Sequence, residues 1–470
     1  MKKIKNISIL SVISFIAIII DFIFLLKIDI LPDKYLLVIV VTLLYIHNVG
    51  ISFKNINSRF KQFGKLILIL SILINIAGIY YFYFTDDFFN RSFNNKIVYT
   101  TTFYIVTNSD NNITAETISD TIYYYENTTN VEDATKYLKK KNNYTLDSYD
   151  DIVSLFNDLL NKKINLMLVE KSSYEIIFEL DKSLDKNSFK IIDEFDMEYI
   201  KEQEKYDGKT AFNIYIGGND FTNSLMDFNM IVTINIDTHD ILLTSMPRDY
   251  YIPVAGRDGR RDTLSYMGPY GIDTSVKSLE EFLDIKIDYY VKVNTVSLVE
   301  LVNAVGGITY CSDISYTTTH ALVLNTYNDN GKKLYVKKGC QELNGIETLT
   351  VARERNAFPG RDRVRQENCR KIILAIFEKM ISTNTIVNYS NILDSLDSLY
   401  QTTLPREVIS KIAKDTINGY KWNILEQSVD GSDTKDYVHL TYLKDWVMYP
   451  DMNTVYKAKD DILNIINKNS

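Results

Sequence analysis

Apolar positions in the first part of the chain run together instead of alternating. Ile7–Leu26, Tyr35–Phe53 and Leu66–Phe84 are three near-continuous apolar runs. A helix over any of them is about long enough to cross the ~30 Å hydrocarbon core of a bilayer. A cleaved signal peptide would account for one such run, not three. Lys2, Lys3 and Lys5 precede the first run, and Lys54, Arg59, Lys61 and Lys65 fill the loop between the second and third. The loop Lys27–Lys34 is short and charge-balanced. Basic loops stay cytoplasmic, so the pattern predicts a membrane anchor over residues 1–85. The N-terminus is then cytoplasmic and everything after about Thr85 is extracytoplasmic, at the cell membrane. Asp21 interrupts the first run and is expected near its outer end, reaching water, in preference to a polar contact between spans.

Beyond a linker at 86–100 the pattern changes. "FYIVTN" and "INLMLVE" read as buried strands between polar turns. "VEDATKYLKKKN" and "DSYDDIVSLFNDLLNKK" carry apolar residues at helical spacing. This alternation predicts a small accessory α/β domain over 101–205. It resembles one lobe of a solute-binding protein, but no ligand-binding residue stands out, and a structural or docking module is the reading adopted.

Residues 206–470 form a second α/β region. "AFNIYIGG" is a strand entering a glycine turn, and "MIVTINIDTHDILLTSMPRD" is two strands joined by a tight turn at Asp237–Asp240. "SLEEFLDI" and "SLVELVNAVGG" are helices on either side of the strand "IDYYVKVN", the second stopped by Gly306–Gly307.

Composition adds one anomaly. The net charge is -8, which argues against a nucleic-acid partner. Among 52 basic residues arginine is the minority, yet "RERNAFPGRDRVR" (353–365) and Arg370 gather six of them. Arginine offers a rigid, permanently charged fork that grips phosphate or carboxylate with two hydrogen bonds. Asp362 is placed to cap a helix whose apolar face holds Cys369, Ile372, Ile373, Ile376, Phe377 and Met380. Arg365, one turn before Cys369 on that face, should point inward at the helix N-terminus, where free N–H groups also favour anions. If "LTVARER" is a strand, Arg353 and Arg355 share a side. The three make a plausible pyrophosphate cradle. Arg361, Arg363 and Arg370 read as solvated. Arg248 and Asp249 follow a strand, where α/β proteins commonly build sites. Asp220 and Asp227 follow another and could hold Mg²⁺ against phosphates. Cys311, Cys340 and Cys369 fit no metal spacing and read as structural. A Cys311–Cys340 disulfide stays open if this part lies outside the cell.

In this setting "YIGGND", "MIVTINIDTHDILLTSMPRDYYIP", "LVNAVGGITYCSD", "KGCQELNGIETLTVARER" and "GRDRVRQENCRKI" resemble, in order, the LytR-CpsA-Psr family of cell-wall proteins. The resemblance covers about 210–380, and the tail "YKWNILEQSVDG" fits the family's C-terminal end. It implies an α/β fold class: an α/β/α domain with a central mixed sheet, here preceded by three transmembrane helices and the accessory domain. It implies a transferase that moves an anionic glycopolymer, such as a teichoic acid, from undecaprenyl pyrophosphate to the 6-hydroxyl of N-acetylmuramic acid in Gram-positive peptidoglycan. An apolar cavity would take the prenyl tail. By the family's motifs, Asp220 and Asp227 belong to the Mg²⁺ site, and Arg248, Arg353, Arg355 and Arg365 are pyrophosphate ligands, with Asp362 completing the Asp-x-x-Arg. Asp220 and Asp249 are candidates for the general base, with Arg248 neutralising charge. Three positions depart from the pattern. Leu225 replaces an arginine, Thr263 and Tyr266 replace a lysine and a histidine, and Cys369 replaces a glutamine, removing a cation and a polar contact. Two alternatives use the same residues: hydrolysis of a polyprenyl pyrophosphate, or non-catalytic binding of the lipid carrier by a regulatory envelope protein.

Overall fold

The computed structural model describes residues 8–56, 58–92, 96–126, 128, 130–181, 183–202, 206–219, 225–321, 332–360, 362–380, 400–441 and 443–468. It divides into two compact units. One contains the N-terminal helices together with Leu404–Trp422, and the other contains the sheets.

In the first unit, α1 (Ile9–Ile28), α2 (Asp33–Asn55) and α3 (Ser58–Ser92) are long and apolar enough to cross a membrane, with mean hydropathies of 2.9, 2.1 and 2.1 over their spans. Lipid tails give helices no hydrophobic reason to associate, so close packing and polar contacts must hold them together. Both are present. A Cβ on Gly64 of α3 would lie 2.2 Å from the Lys54 backbone nitrogen on α2, so the two backbones touch. His47 Nδ1 lies 3.0 Å from the Ser14 hydroxyl, which is 3.1 Å from that of Ser71, linking all three helices. Asp21 belongs to this seam. It is 2% exposed and faces Gly78 of α3, so it does not reach water as expected. The absent side chain of Gly78 leaves the room it occupies.

Most of the stretch expected to be a linker, 86–100, is regular structure instead. Helix α3 continues to Ser92, supported by an Asn90–Asp86 hydrogen bond (3.1 Å), and β1 (Lys96–Asn108) starts at Lys96. Its polar composition concealed a strand that pairs with β5 (Phe189–Glu202) along its full length.

The accessory domain also contains β2 (Ile122–Tyr125), α4 (Val131–Asn142), β3 (Leu146–Tyr149), α5 (Ile152–Leu160), β4 (Leu166–Glu170) and α6 (Lys171–Leu180). The strand order is β3-β2-β4-β1-β5, with β2 parallel to β3 and β4. Alternation along β1 sends Phe103 and Ile105 into one core cluster and Tyr104 and Val106 into another, and all four are buried. A sheet covered on both faces therefore reads as an unbroken apolar run. The Asp151 and Glu170 carboxylates accept from the first free N–H groups of α5 and α6.

The larger domain is built on a six-stranded mixed sheet. Its elements are β6 (Ala211–Asn219), β7 (Met226–Asn235), β8 (Asp240–Met246), β9 (Tyr251–Pro253), β10 (Arg261–Thr263), α7 (Ile272–Leu283), β11 (Tyr289–Val293), α8 (Thr295–Ala304), β12 (Ile308–Ser312), β13 (Tyr316–Ala321), β14 (Lys333–Val336), β15 (Gly339–Leu343), α9 (Gly345–Arg353), α10 (Asp362–Met380), β16 (Tyr400–Thr402), β17 (Asn423–Ser428), β18 (Gly431–Tyr437), β19 (Lys444–Pro450) and α12 (Met452–Ile466); α11 (Arg406–Asn418), between β16 and β17 in sequence, belongs to the first unit. The sheet order is β16-β11-β6-β7-β8-β17. Tyr215, Ile231 and Leu242 pack with Leu279 of α7 and with Val455 and Ile462 of α12 on one face. Strand residues of the opposite parity, Ile214, Met230, Val232 and Leu243, are buried as well, so both faces are covered.

One expected element is different. "LTVARER" is not a strand: α9 runs through it to Arg353. Its start is a reciprocal cap, in which the Asn344 side chain accepts from Glu347 N–H and the Glu347 carboxylate accepts from Asn344 N–H, both at 3.0 Å. That cap outweighs the β-branched residues inside it.

Cys311 and Cys340 are disulfide-bonded across directly paired positions of β12 and β15, while Cys369 is free. A disulfide closing a loop of this order contributes about 2–4 kcal/mol and persists outside the reducing cytosol. Protein isolated from membranes and unfolded without reductant should titrate one thiol per chain, rising to three after reduction. Three thiols without reductant would contradict the pairing.

Candidate active site

The hairpin of β7 and β8 sets the site's first pair. Asn229 lies opposite Met246 in its antiparallel register. Continuing two residues outward along each strand brings Asp227 opposite Arg248. There Arg248 Nη1 donates to Asp227 Oδ1, and Arg248 Nε donates to Asp249 Oδ1 at 3.1 Å. The register that forms the sheet thus also places the first ion pair.

The second cation comes from α10. Its phase turns Arg365 inward, as expected, and the residue is 5% exposed. Arg365 Nη2 donates to the Asp227 backbone oxygen at 2.8 Å, and Nη1 stands 3.7 Å from Asp227 Oδ2. The same guanidinium meets Asp362 Oδ1 at 2.7 Å. Asp362 is the first residue of the helix and its carboxylate takes Arg365 and Gln366, so it serves the site instead of capping the backbone.

The third cation is Arg355, in the loop after α9. It is exposed and, among the described residues, makes no salt bridge. Burial lowers its pKa, and the positive charges of Arg248 and Arg365 lower it further, against attraction from Asp227 and Asp249. It therefore lies within electrostatic reach of the cluster. Arg353 closes α9, half-buried, and is separated from Arg355 by the helix end and by Glu354. The two do not share a strand face.

Burial works against the charge of Asp227, but Arg248, Arg365 and Arg355 overcome it and hold the carboxyl below its usual range. Burial raises Asp249, offset only in part by Arg248. Arg248 is held firmly protonated, because Asp227, Asp249 and Asp362 outweigh its burial. The two neighbouring aspartates are thus pushed in opposite directions: one fixed as an anion, the other nearer to exchanging a proton at working pH.

Sequence reasoning missed the residues that hold these groups in place. Glu354 is fully buried and accepts from the N–H groups of Asn356 (2.8 Å) and Ala357 (2.9 Å) and from the Thr319 hydroxyl (2.9 Å). It shapes the loop that carries Arg355, and its signal was an acidic residue between two arginines. Arg363 is exposed, as expected, and from the surface it donates to Asp430 (2.6 Å), Asp433 (3.2 Å) and the Gly431 oxygen (2.8 Å), tying the first turn of α10 to the turn before β18. Arg370 likewise pairs with Glu426 and is mostly covered. Both find acceptors 56 to 70 residues away, which local pattern cannot show. Arg361 and Asp220 lie outside the described residues.

The departures from the family pattern have local roles. Leu225 packs against the core cluster. The Thr263 hydroxyl accepts from Tyr266 N–H at 3.3 Å, and the Tyr266 hydroxyl donates to Asp445. Cys369 donates to the Ala352 oxygen of α9 at 3.3 Å, and burial pushes its thiol up to about 12, so it is no nucleophile.

Mg²⁺ binds through one or two ionised carboxylates plus substrate phosphates and keeps several waters. Asp227 is ionised, and its side chain is 32% exposed, so it fits as one such ligand. No group of three or more His, Cys, Asp or Glu side chains that could hold a metal exists among the described residues.

The model of the LytR_cpsA_psr family matches residues 173–457. A polyisoprenyl-teichoic acid–peptidoglycan teichoic acid transferase TagU of Enterococcus faecalis is 28% identical over 248 residues, covering 51% of this chain and 76% of that protein. The TagU of Bacillus mycoides is 28% identical over 245 residues, covering 51% of this chain and 71% of that protein. The crystal structure of B. subtilis TagV aligns with a TM-score of 0.46 at 23% identity, over 56% of this chain and 99% of that one.

Asp227→Asn should leave Arg248 and Arg365 facing each other without their shared anion, at a cost of about 1–3 kcal/mol. Because the folded-state pKa of Asp227 is depressed, its contribution is complete above the unfolded value near 4 and fades as pH falls through the folded value. Denaturant melts should therefore show a large gap between wild type and variant at pH 7 that narrows as the pH falls below about 4. A gap independent of pH would contradict the assignment.

Proposed function

The chain belongs to the LytR_cpsA_psr family, and on that footing we propose that it is a membrane-anchored cell-wall glycopolymer transferase. The donor is an anionic glycopolymer, of teichoic acid type, on undecaprenyl pyrophosphate. The acceptor is peptidoglycan, at the N-acetylmuramic acid 6-hydroxyl. The observation that carries the reading is the convergence of Arg248 and Arg365 on Asp227 at the N-terminal end of α10, with Arg355 within electrostatic reach. The relatives' names give the substrate class.

In the proposed reaction the acceptor oxygen attacks the sugar-linked phosphorus. The new P–O bond replaces the bond to the bridging oxygen, and undecaprenyl phosphate departs with that oxygen. Such transfers need chiefly alignment and charge neutralisation. Arg248 and Arg365 are already paired with carboxylates, so they are aimed and desolvated before the donor arrives. The pyrophosphate then competes with Asp227 for Arg248 and Arg365, and Arg355 offers a first foothold. Mg²⁺ held by Asp227 and Asp220 would add positive charge to the phosphate oxygens. Asp249 fits the general base: its raised pKa suits proton acceptance, and Arg248 fixes its orientation. Arg353 is kept as a further pyrophosphate ligand. The basic turn between α2 and α3 supports an extracytoplasmic transferase domain with the N-terminus inside.

The full chain in detergent, given lipid-linked donor with and without peptidoglycan fragments, should attach polymer only when acceptor is present. Arg248→Ala and Arg365→Ala should each lower kcat by ~10²–10³-fold, whereas Arg370→Ala should stay close to wild type. Phosphate release without attachment would replace transfer by hydrolysis. Unchanged attachment in both arginine variants would remove this site from the reaction.

A further inference from the structure

Strands β18 and β19 form a two-stranded ribbon apart from the main sheet. The ribbon is fastened to the arginine site. Met448 N–H donates to the Asp249 backbone oxygen at 2.6 Å, and Arg363, two residues from Arg365, reaches Gly431 and Asp433 on the other strand. The loop that closes the ribbon is no free tip, because its Val438 and Leu440 belong to the core. Val447 and Met448 are buried in the same core, and the Tyr266 hydroxyl holds Asp445. The ribbon is thus pinned along its length, and one face is left outward.

Register decides what that face carries. Lys435 lies opposite Trp446 and Tyr437 opposite Lys444, and directly opposed residues point to the same side. Lys435 Nζ stands 5.2 Å from the Trp446 ring centroid, and Lys444 Nζ 5.0 Å from that of Tyr437. Trp446 is 58% exposed and Tyr437 56%. Single exposed aromatic residues are ordinary. Two on successive rungs of a pinned ribbon, each with a cation on it, make a flat and rigid platform. The Tyr251 hydroxyl braces it by donating to the Tyr437 oxygen at 2.7 Å, and the Tyr251 ring packs edge-on against Tyr449. The ribbon's acids are engaged: Asp433 by Arg363, Asp436 by Tyr449 and Asp445 by Tyr266. Lys435 and Lys444 make no salt bridge among the described residues. A cation over an exposed ring is held more weakly than one hydrogen-bonded to a carboxylate, so both lysines can turn to an arriving anion.

We propose that this face binds the acceptor, a peptidoglycan glycan strand. A sugar ring has a face of C–H groups that stacks on the negative face of an aromatic ring, which suits Trp446 and Tyr437. The carboxylates of the peptides that such a strand carries suit Lys435 and Lys444. Position favours the acceptor over the donor polymer. The attacking oxygen must lie beside the general base, and Trp446 is two residues, about 7 Å, along β19 from the Met448 N–H that binds Asp249. The inference rests on the transferase reading for the fate of the bound strand, and its test keeps the two apart.

The full chain in detergent is sedimented with isolated peptidoglycan stripped of its attached polymers. Trp446→Ala, and Lys435→Glu combined with Lys444→Glu, should each weaken binding about tenfold, whereas Trp446→Phe should stay near wild type. In the transfer assay the same variants should raise KM for peptidoglycan fragments about as much. Their kcat and their KM for the lipid-linked donor should not change. Unchanged binding by both weakened variants overturns the proposal. A raised KM for the donor in place of the acceptor also overturns it and gives the face to the donor polymer. So does a wild-type dimer, seen by sedimentation velocity, that Trp446→Ala dissolves without loss of peptidoglycan binding. A wild-type chain that binds peptidoglycan through Trp446 yet transfers nothing refutes the transferase reading and upholds the binding face.

Discussion

Two guanidinium groups share one carboxylate, and the site depends on that sharing. Arg248 reaches Asp227 from 21 residues away and Arg365 from 138 residues away. Two largely covered arginines at the positive end of a helix repel each other unless an anion stands between them. Asp227 supplies it with both its side chain and its backbone oxygen, so the start of β7 and the first turn of α10 are fixed by the same residue. Asp249 and Asp362 extend the arrangement by holding the outer faces of the two cations. Glu354 and Arg363 anchor the loop and the helix that bring the remaining groups in.

Three arginines and three aspartates leave the cluster near electrical balance. A pyrophosphate changes that balance, because it offers more acceptor oxygens than Asp227 and can engage all three cations at once. The carboxylates therefore preserve the geometry that a phosphate needs without requiring the phosphate for folding. This is preorganisation in a physical sense: the orienting cost is met during folding, and the donor finds the forks already aimed. The depressed pKa of Asp227 and the raised pKa of Asp249 follow from the same arrangement, since the first sits between cations and the second is covered with one.

Much of this was legible in the sequence where the signal was local. The β7–β8 hairpin followed from a tight turn between two apolar runs, and the inward direction of Arg365 followed from helix phase. The three anchor helices followed from run length. The failures share a different cause. "LTVAR" carries β-branched residues that favour a strand, and the Asn344–Glu347 cap makes it a helix. Asp21 was assigned to water because Gly78, which makes room for it, lies on another helix. Arg370 reads as solvated because its acceptor, Glu426, is far along the chain. Thr263 and Leu225 looked like losses from a motif, although each has taken up a local packing or capping role. Spacing reveals direction; it does not reveal which distant group waits at the end of a side chain.

The central claim is that Arg248, Arg355 and Arg365 hold the pyrophosphate of a polyprenyl-linked donor. Its most direct test is mass spectrometry of the lipids that co-purify with the full chain from membranes. Wild-type protein should carry a polyprenyl pyrophosphate, free or polymer-linked, that is lost when the three arginines are replaced together by alanine. Only bulk phospholipid in both proteins, or equal amounts of the polyprenyl lipid in both, would contradict the account.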